Sequence, residues 1–186
     1  MGRYQLEWQK VEKIRNEPNK TKRKALKLKL PAVTPSGIFY GMPVMHGLVE
    51  HTGLICIDID AQDNQDSCYF HCLKDYLKCM DCVAYCGLSA SGKGFFLIIP
   101  IANPKHHQRH FKALQIEFAA HGITIDAQCR EITRMRSASY DPTPYINLNA
   151  VPYTHTTKKR NSVKRNQCVN INQTRAFCPV QNTVLF

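Results

Sequence analysis

Two carboxylates close an apolar run that reads Gly53-Leu54-Ile55-Cys56-Ile57-Asp58-Ile59-Asp60. In a strand, side chains i and i+2 share a face, so Asp58 and Asp60 point the same way. Like charges so placed repel unless a cation sits between them, and hard oxygen donors suit Mg²⁺ or Mn²⁺. The same pair fits equally well a helix cap or a solvated strand end. Asp126 ends a second short run, Ile123-Thr124-Ile125-Asp126, whose pattern predicts another strand. Three carboxylates at strand ends of one sheet can converge on one edge, where two metal ions clamp an in-line phosphoryl transfer.

A glycine-lysine turn follows the first run at a distance. Gly87-Leu88-Ser89-Ala90-Ser91-Gly92-Lys93 fits seven positions of a Walker A loop, but the eighth, Gly94, lacks the hydroxyl that reaches Mg²⁺. The segment also opens the β-branched and aromatic run Phe95-Phe96-Leu97-Ile98-Ile99 rather than a helix, which excludes a P-loop NTPase. An ordinary hairpin turn would satisfy the pattern. Lys93 between two glycines, with Ser89 and Ser91 upstream, points instead to a phosphate cradle, in which glycines permit close approach and backbone N–H groups form an anion nest.

Arg130, Arg134 and Arg136 lie in Arg130-Glu131-Ile132-Thr133-Arg134-Met135-Arg136. On an extended chain Arg134 and Arg136 share a face, and paired guanidiniums suit phosphate. Structural ion pairs, such as Arg130 with Asp126 or Asp141, are the competing use. Cys68, Cys72, Cys79, Cys82 and Cys86 include one pair at zinc spacing, but no second CxxC follows, so zinc is not expected. Cys72 and Cys86 read as buried small hydrophobes. His106, His107 and His110 read as a solvated first helical turn, with no acid close by in sequence to complete a metal site.

The elements that must position these groups follow from periodicity. Helices are predicted over 4–15, 19–28, 64–80 and 105–120, and strands over 38–40, 53–60, 83–86, 95–101, 123–126 and 135–140. A hairpin through 87–94 and strands interleaved with helices predict an α+β domain with a mixed β-sheet and flanking helices. From about Thr154 the chain is polar and basic and reads as a tail or linker over 154–186.

The chain has 186 residues, enough for one domain and tails, and its net charge of +11 is uneven. Residues 1–30 carry +7 and residues 142–186 carry +6, leaving −2 for the middle that holds the acidic residues. Basic ends on a near-neutral body fit a nucleic-acid partner as well as they fit solvated tails. No apolar run approaches the ~20 residues of a membrane helix, and the N-terminus has no signal-peptide core. Nine cysteines then read as reduced thiols of a cytoplasm.

Taken together, the order Leu30-Pro31…Thr34-Pro35-Ser36-Gly37…Phe39, then TGLICIDID, then LSASGKG, then a helix led by histidine, then ITID…R…TRMR…SYDP resembles a known family. It is similar to the primase-polymerase-like N-terminal domain of virulence-associated protein E and its relatives in mobile elements and phages, within the archaeo-eukaryotic primase superfamily. The resemblance covers residues 1–153, with a basic helical part over 1–37 and a catalytic core over 38–153. It implies an RRM-like catalytic core and two-metal, template-directed nucleotidyl transfer in DNA replication.

Asp58, Asp60 and Asp126 match the catalytic, metal-holding acids of that family. Ser89, Ser91, Gly92, Lys93 and Gly94 match the loop that holds the incoming nucleoside triphosphate, with Arg130, Arg134 and Arg136 as further phosphate ligands. The implied partners are single-stranded template or primer-template DNA and a separately encoded replicative helicase, in a bacterial or phage-infected cell. One departure stands out: the superfamily's histidine two residues past the last glycine is Phe96 here, and Phe cannot hydrogen-bond phosphate. The alternative is therefore a non-catalytic nucleic-acid-binding domain that recruits a helicase or a replication origin. A DxD glycosyltransferase fits the basic ends poorly.

Overall fold

Two helices lead into the sheet of this computed structural model, which describes residues 2–65 and 72–157, with side chains from Trp8 onward. α1 (Gly2–Asn16) stops short of Pro18. α2 (Lys20–Lys27) starts at Asn19, whose side chain accepts the Thr21 and Lys22 N–H groups at 3.0 and 3.1 Å. The chain continues through β1 (Ala32–Val33), β2 (Gly37–Phe39), β3 (Leu48–His51), β4 (Leu54–Asp60), α3 (Leu73–Lys78), β5 (Tyr85–Leu88), β6 (Gly94–Pro100), α4 (His107–Ala120), β7 (Arg136–Ser137) and β8 (Tyr145–Ile146). The α+β class read from the sequence is observed. No helix among the described residues is long and apolar enough to cross a membrane.

The main sheet has the order β4-β6-β5-β8, and every neighbouring pair is antiparallel. The expected mixed sheet is thus corrected. The tight turn from β5 to β6 allows only an antiparallel pair, and β6 then lies between β4 and β5. β4 and β5 run the same way, joined through α3, but never touch as a ladder. β1 pairs with β7, and β2 with β3, in separate two-stranded ribbons.

Alternation divides the sheet into two faces. Ile55, Ile57 and Ile59 of β4 and Leu97 and Ile99 of β6 are fully buried on one face. Against them pack Leu73 and Leu77 of α3 and Phe111, Leu114 and Phe118 of α4. The opposite face of β4 carries Cys56, Asp58 and Asp60. A smaller core of Val11, Ile14, Leu30 and Ala90, with Leu26 against it, seats α1 and α2 beside the β5–β6 turn.

Three predicted elements differ. The helix expected over 64–80 is a 3₁₀ turn at Ala61–Asn64 and the short α3, with 66–71 outside the described residues. Cys72, expected on its apolar face, is exposed just before α3 begins. Residues 123–126 are extended but form no ladder, because the Asn64 side chain takes both backbone groups of Thr124 that a neighbouring strand would use. The strand over 135–140 shrinks to β7. Of the basic tail, 154–157 is described and Thr157 N–H reaches the Arg109 carbonyl at 3.3 Å. Residues 158–186 lie outside the described residues.

The histidines of α4 are also not solvated as expected: His107 and His110 are buried. α4 begins at His107, so His107, His110, Phe111 and Leu114 share its inner face. The Gly53 N–H donates to His51 Nδ1 at 2.9 Å, which places the proton of His51 on Nε2. That proton points at His107 Nδ1, 2.9 Å away, so both rings are neutral. Burial first, and the His51 ring second, push the His107 pKa down to about 4. A histidine lowered on folding contributes stability above its unfolded value near 6.5, lost as pH falls toward 4. Lowering the pH from 7 to 4.5 should therefore cost about 2–3 kcal/mol through His107. Urea midpoints of the wild type and His107→Gln at both pH values check this. An equal pH loss in the variant would remove the pair as its source.

Candidate metal and nucleotide site

The acidic groups sit where β4 leaves the core. Asp58 stands opposite Phe96 in the ladder and Asp60 opposite Gly94. The Asp126 N–H donates to the Asp58 carbonyl at 2.9 Å, which brings the 123–126 segment beside β4. The Asp126 side chain also accepts the Gln128 N–H and caps the 3₁₀ turn Ala127–Arg130. Ligand-capable atoms of Asp58, Asp126 and Cys129 lie within 4.8 Å of one another.

Burial first, and the nearby Asp58 carboxylate second, push the Cys129 thiol up, which sets it apart from the two carboxylates of the group. The donor set that remains is two carboxylates, which fits a hard divalent cation. Of the three expected carboxylates, Asp58 and Asp126 belong to the grouping within 4.8 Å among the described residues. Asp60 instead faces an adjoining cleft, where desolvation and then the Asp58 and Asp63 carboxylates raise its pKa, with Lys27 opposing them.

Asn64 joins these parts. Its Nδ2 donates to the Asp60 carbonyl at 2.8 Å and to the Thr124 carbonyl at 3.0 Å, and its Oδ1 accepts the Thr124 N–H at 2.7 Å. One buried amide thus clamps the end of β4 to the segment that carries Asp126.

The arginines lie on the carboxylates. Arg134 Nη2 is 2.9 Å from Asp126 Oδ2 and 3.8 Å from Asp58 Oδ2, and its Nη1 donates to Gln128 at 2.6 Å. Arg136 pairs with Asp58 through Nη1, and its guanidinium stacks over the Phe96 ring at 4.0 Å. Two guanidiniums thus hold cationic charge at the acidic pair. Arg130 stands apart, exposed and paired with Glu131 at 2.9 Å. Asp141, another expected partner of Arg130, is buried and instead receives Lys74 Nζ at 2.7 Å and the Leu88 N–H at 2.9 Å.

The glycine-lysine turn is less open than a full nest. The Ser89 N–H donates to the Gly94 carbonyl and the Gly92 N–H to the Ser89 carbonyl, both at 2.8 Å. Ala90 is buried against α1, and Arg15 reaches the Ser89 carbonyl at 3.3 Å. Ser91 and Lys93 remain to line the cleft with Asp60. Gly92 has φ +69° and Gly94 has no room: a Cβ there would sit 2.6 Å from the Ile59 carbonyl oxygen and 2.9 Å from Asp60 Oδ1. Gly94→Ala should cost about 1–3 kcal/mol and displace Asp60. Denaturant unfolding of this variant beside Gly92→Ala checks it, and an unshifted Gly94→Ala midpoint would contradict the close approach.

The cleft measures 660 Å³, and its other wall is α2: Lys20, Arg23, Lys24 and Lys27 face Asp60, Asp63, Ser91 and Lys93. In the sequence these cations belong to a basic helix with no tie to the site. Their i, i+3, i+4, i+7 spacing is the signal that joins them into one stripe. Cys129 and Asn64 carry no motif, so nothing in the sequence marks them. Cys79 and Cys82 take no part in any metal-competent grouping of the described residues. Cys86 is buried, as expected.

No curated protein and no solved structure was found to match the chain. A family model does match: residues 25–146 align with the BT4734-like, N-terminal domain. That span holds most of the main sheet, both acidic segments, the glycine-lysine turn and the arginines, so the chain belongs to the BT4734-like N-terminal domain family.

Proposed function

We propose that this domain is a primase-polymerase-like nucleotidyltransferase module of a replication protein. The observation that carries the reading is the meeting of Asp58 and Asp126 within 4.8 Å, next to a cleft where Asp60 faces Lys93 and the α2 cations. The topology supports it as well. The 123–126 segment, β4, β6 and β5 lie side by side with α3 and α4 on one face, the order of a β-α-β-β-α-β core with its last strand frayed.

In this reading Asp58 and Asp126 hold one Mg²⁺ or Mn²⁺, and Asp60 serves a second from the cleft side. Such ions lower the pKa of a 3′-hydroxyl and neutralise the departing pyrophosphate. Lys93 and Ser91 would bind the triphosphate of a nucleoside triphosphate, and Arg134 and Arg136, which rest on the carboxylates, would turn to phosphate. Arg136, stacked on Phe96, supplies the phosphate contact that Phe96 cannot make. The 3′-oxygen forms its bond to the α-phosphorus, the bond to the β-phosphate oxygen breaks, and the hydroxyl proton leaves to solvent. A replicative helicase would open the DNA for such an enzyme.

A second reading is favoured by the same arginines. If they stay on Asp58 and Asp126, the domain binds nucleic acid without synthesis. Extension of a primer and de novo synthesis on a single-stranded DNA template separate the two, with ribo- and deoxyribonucleotides and Mg²⁺ or Mn²⁺. Metal-dependent product supports the enzyme, whereas nucleic-acid binding without product supports the second reading.

A further inference from the structure

We propose that α2 is a track for the phosphate backbone of a single-stranded nucleic acid, which it holds along the wall of the cleft that Asp60 and Lys93 close on the other side. The inference names the partner of the site described above and rests on that reading only for what happens where the strand meets the carboxylates.

Position within α2 carries the argument. Lys20, Arg23, Lys24 and Lys27 fall on one stripe of the helix and all face the cleft. Lys22 and Lys29, equally basic and exposed, do not line it. The helix cannot roll away, because Leu26 packs against Val11, Ile14, Leu30 and Ala90 on its other side. Asn19 fixes its first turn.

The stripe is short of counter-charge. Among the described residues no carboxylate lies within ion-pair distance of the four cations, although Arg23 donates to the Glu17 carbonyl at 3.2 Å. With Lys93 the cleft holds five cations against Asp60 and Asp63. An anion entering there finds positive charge in excess.

Length decides what the anion is. At ~1.5 Å per residue, Lys20 to Lys27 spans about 10 Å. A single strand spaces its phosphates by a whole nucleotide, so the row reaches successive phosphates of a strand, whereas the phosphates of one triphosphate are linked through single oxygens and cover only part of it. The cations face into a concavity, which a flat membrane surface cannot enter. The wall across from them is the proposed nucleotide site, so phosphate chemistry is continuous along the cleft.

The test uses the full chain and a labelled single-stranded oligonucleotide of about 20 nucleotides, a length well beyond the few phosphates that the row can meet. EDTA is present and nucleotide absent, so the result is independent of any synthesis. Affinity is read over a series of salt concentrations. Lys20→Ala/Lys24→Ala should weaken binding at least about tenfold at low salt and flatten the log–log salt slope by about 1.4, that is ~0.7 per lost contact on a single strand. Lys22→Ala/Lys29→Ala makes the same change in net charge and should alter neither by more than a small fraction of that. All four lysines are exposed, so neither variant threatens the fold.

Equal losses in the two variants would show a diffuse charge effect and overturn the track. An unchanged Lys20→Ala/Lys24→Ala would overturn it directly. Displacement of the oligonucleotide by polyglutamate as readily as by unlabelled oligonucleotide would reassign the stripe to an acidic protein partner. Loss of synthesis with the α2 effect intact would sink the enzyme reading and leave this one standing.

Discussion

If the domain is the proposed nucleotidyltransferase, Asp58→Ala should abolish metal-dependent synthesis, with a loss of at least about a thousandfold, while single-strand binding should stay within about twofold. Asp58 is the one carboxylate that meets both the candidate cation position with Asp126 and the two arginines. Removing it takes away a metal ligand and frees Arg136, which is largely buried, from its only ion pair among the described residues. Unfolding measurements should therefore show a stability loss of about 1–3 kcal/mol beside the activity loss.

The two effects separate in a second variant. Asp58→Ala/Arg136→Ala removes the unpaired cation together with its partner, so stability should recover in part while synthesis stays absent. Synthesis that recovers with stability would mean that Asp58 is a structural ion-pair partner only. Wild-type synthesis matched by Asp58→Asn would sink the metal role altogether, since an amide cannot supply the charge that a divalent ion needs.

Asn64→Ala should be the most destabilising single change at the site, by about 3–4 kcal/mol. Asn64 is buried and makes three hydrogen bonds, to the Asp60 carbonyl and to both backbone groups of Thr124. Truncation leaves two carbonyls and one N–H without a partner, and it releases the segment that presents Asp126. Chemical denaturation gives the stability term, and Mn²⁺ titration gives the functional one: affinity should fall in the folded variant. A loss below about 1 kcal/mol would mean that water replaces the amide. Asn64→Asp keeps the acceptor for Thr124 but sets a carboxylate against two carbonyls, so it should be no milder.

Several features are legible in the amino-acid sequence. The run through Asp58 and Asp60 alternates cleanly, so β4 and the shared face of its two acids follow from the period of a strand. The hairpin through Gly92 follows from the glycines between two apolar runs, and α2 lies within the helix expected over 19–28. The 123–126 segment departs from its pattern for a definite reason. Its residues have strand character, but the Asn64 amide occupies the backbone groups that would have made the ladder. The histidines depart because polar residues at i, i+1 and i+4 have the pattern of a wet turn. His51, 56 residues away, provides the partner that lets His107 be buried.

Residue order thus dictates local features: which segments are strands or helices, which side chains share a face, where the chain turns, and how charge is distributed. These depend on backbone periodicity and on the conformational limits of Gly, Pro and Asn, which act within a few residues. The tertiary structure decided which charges meet. It set Arg136 on Asp58 across 78 residues, brought Asp126 beside Asp58, and placed the α2 cations opposite Lys93. Those contacts arise from how the two cores seat α1, α2 and the sheet against one another, and no periodicity along the chain encodes them.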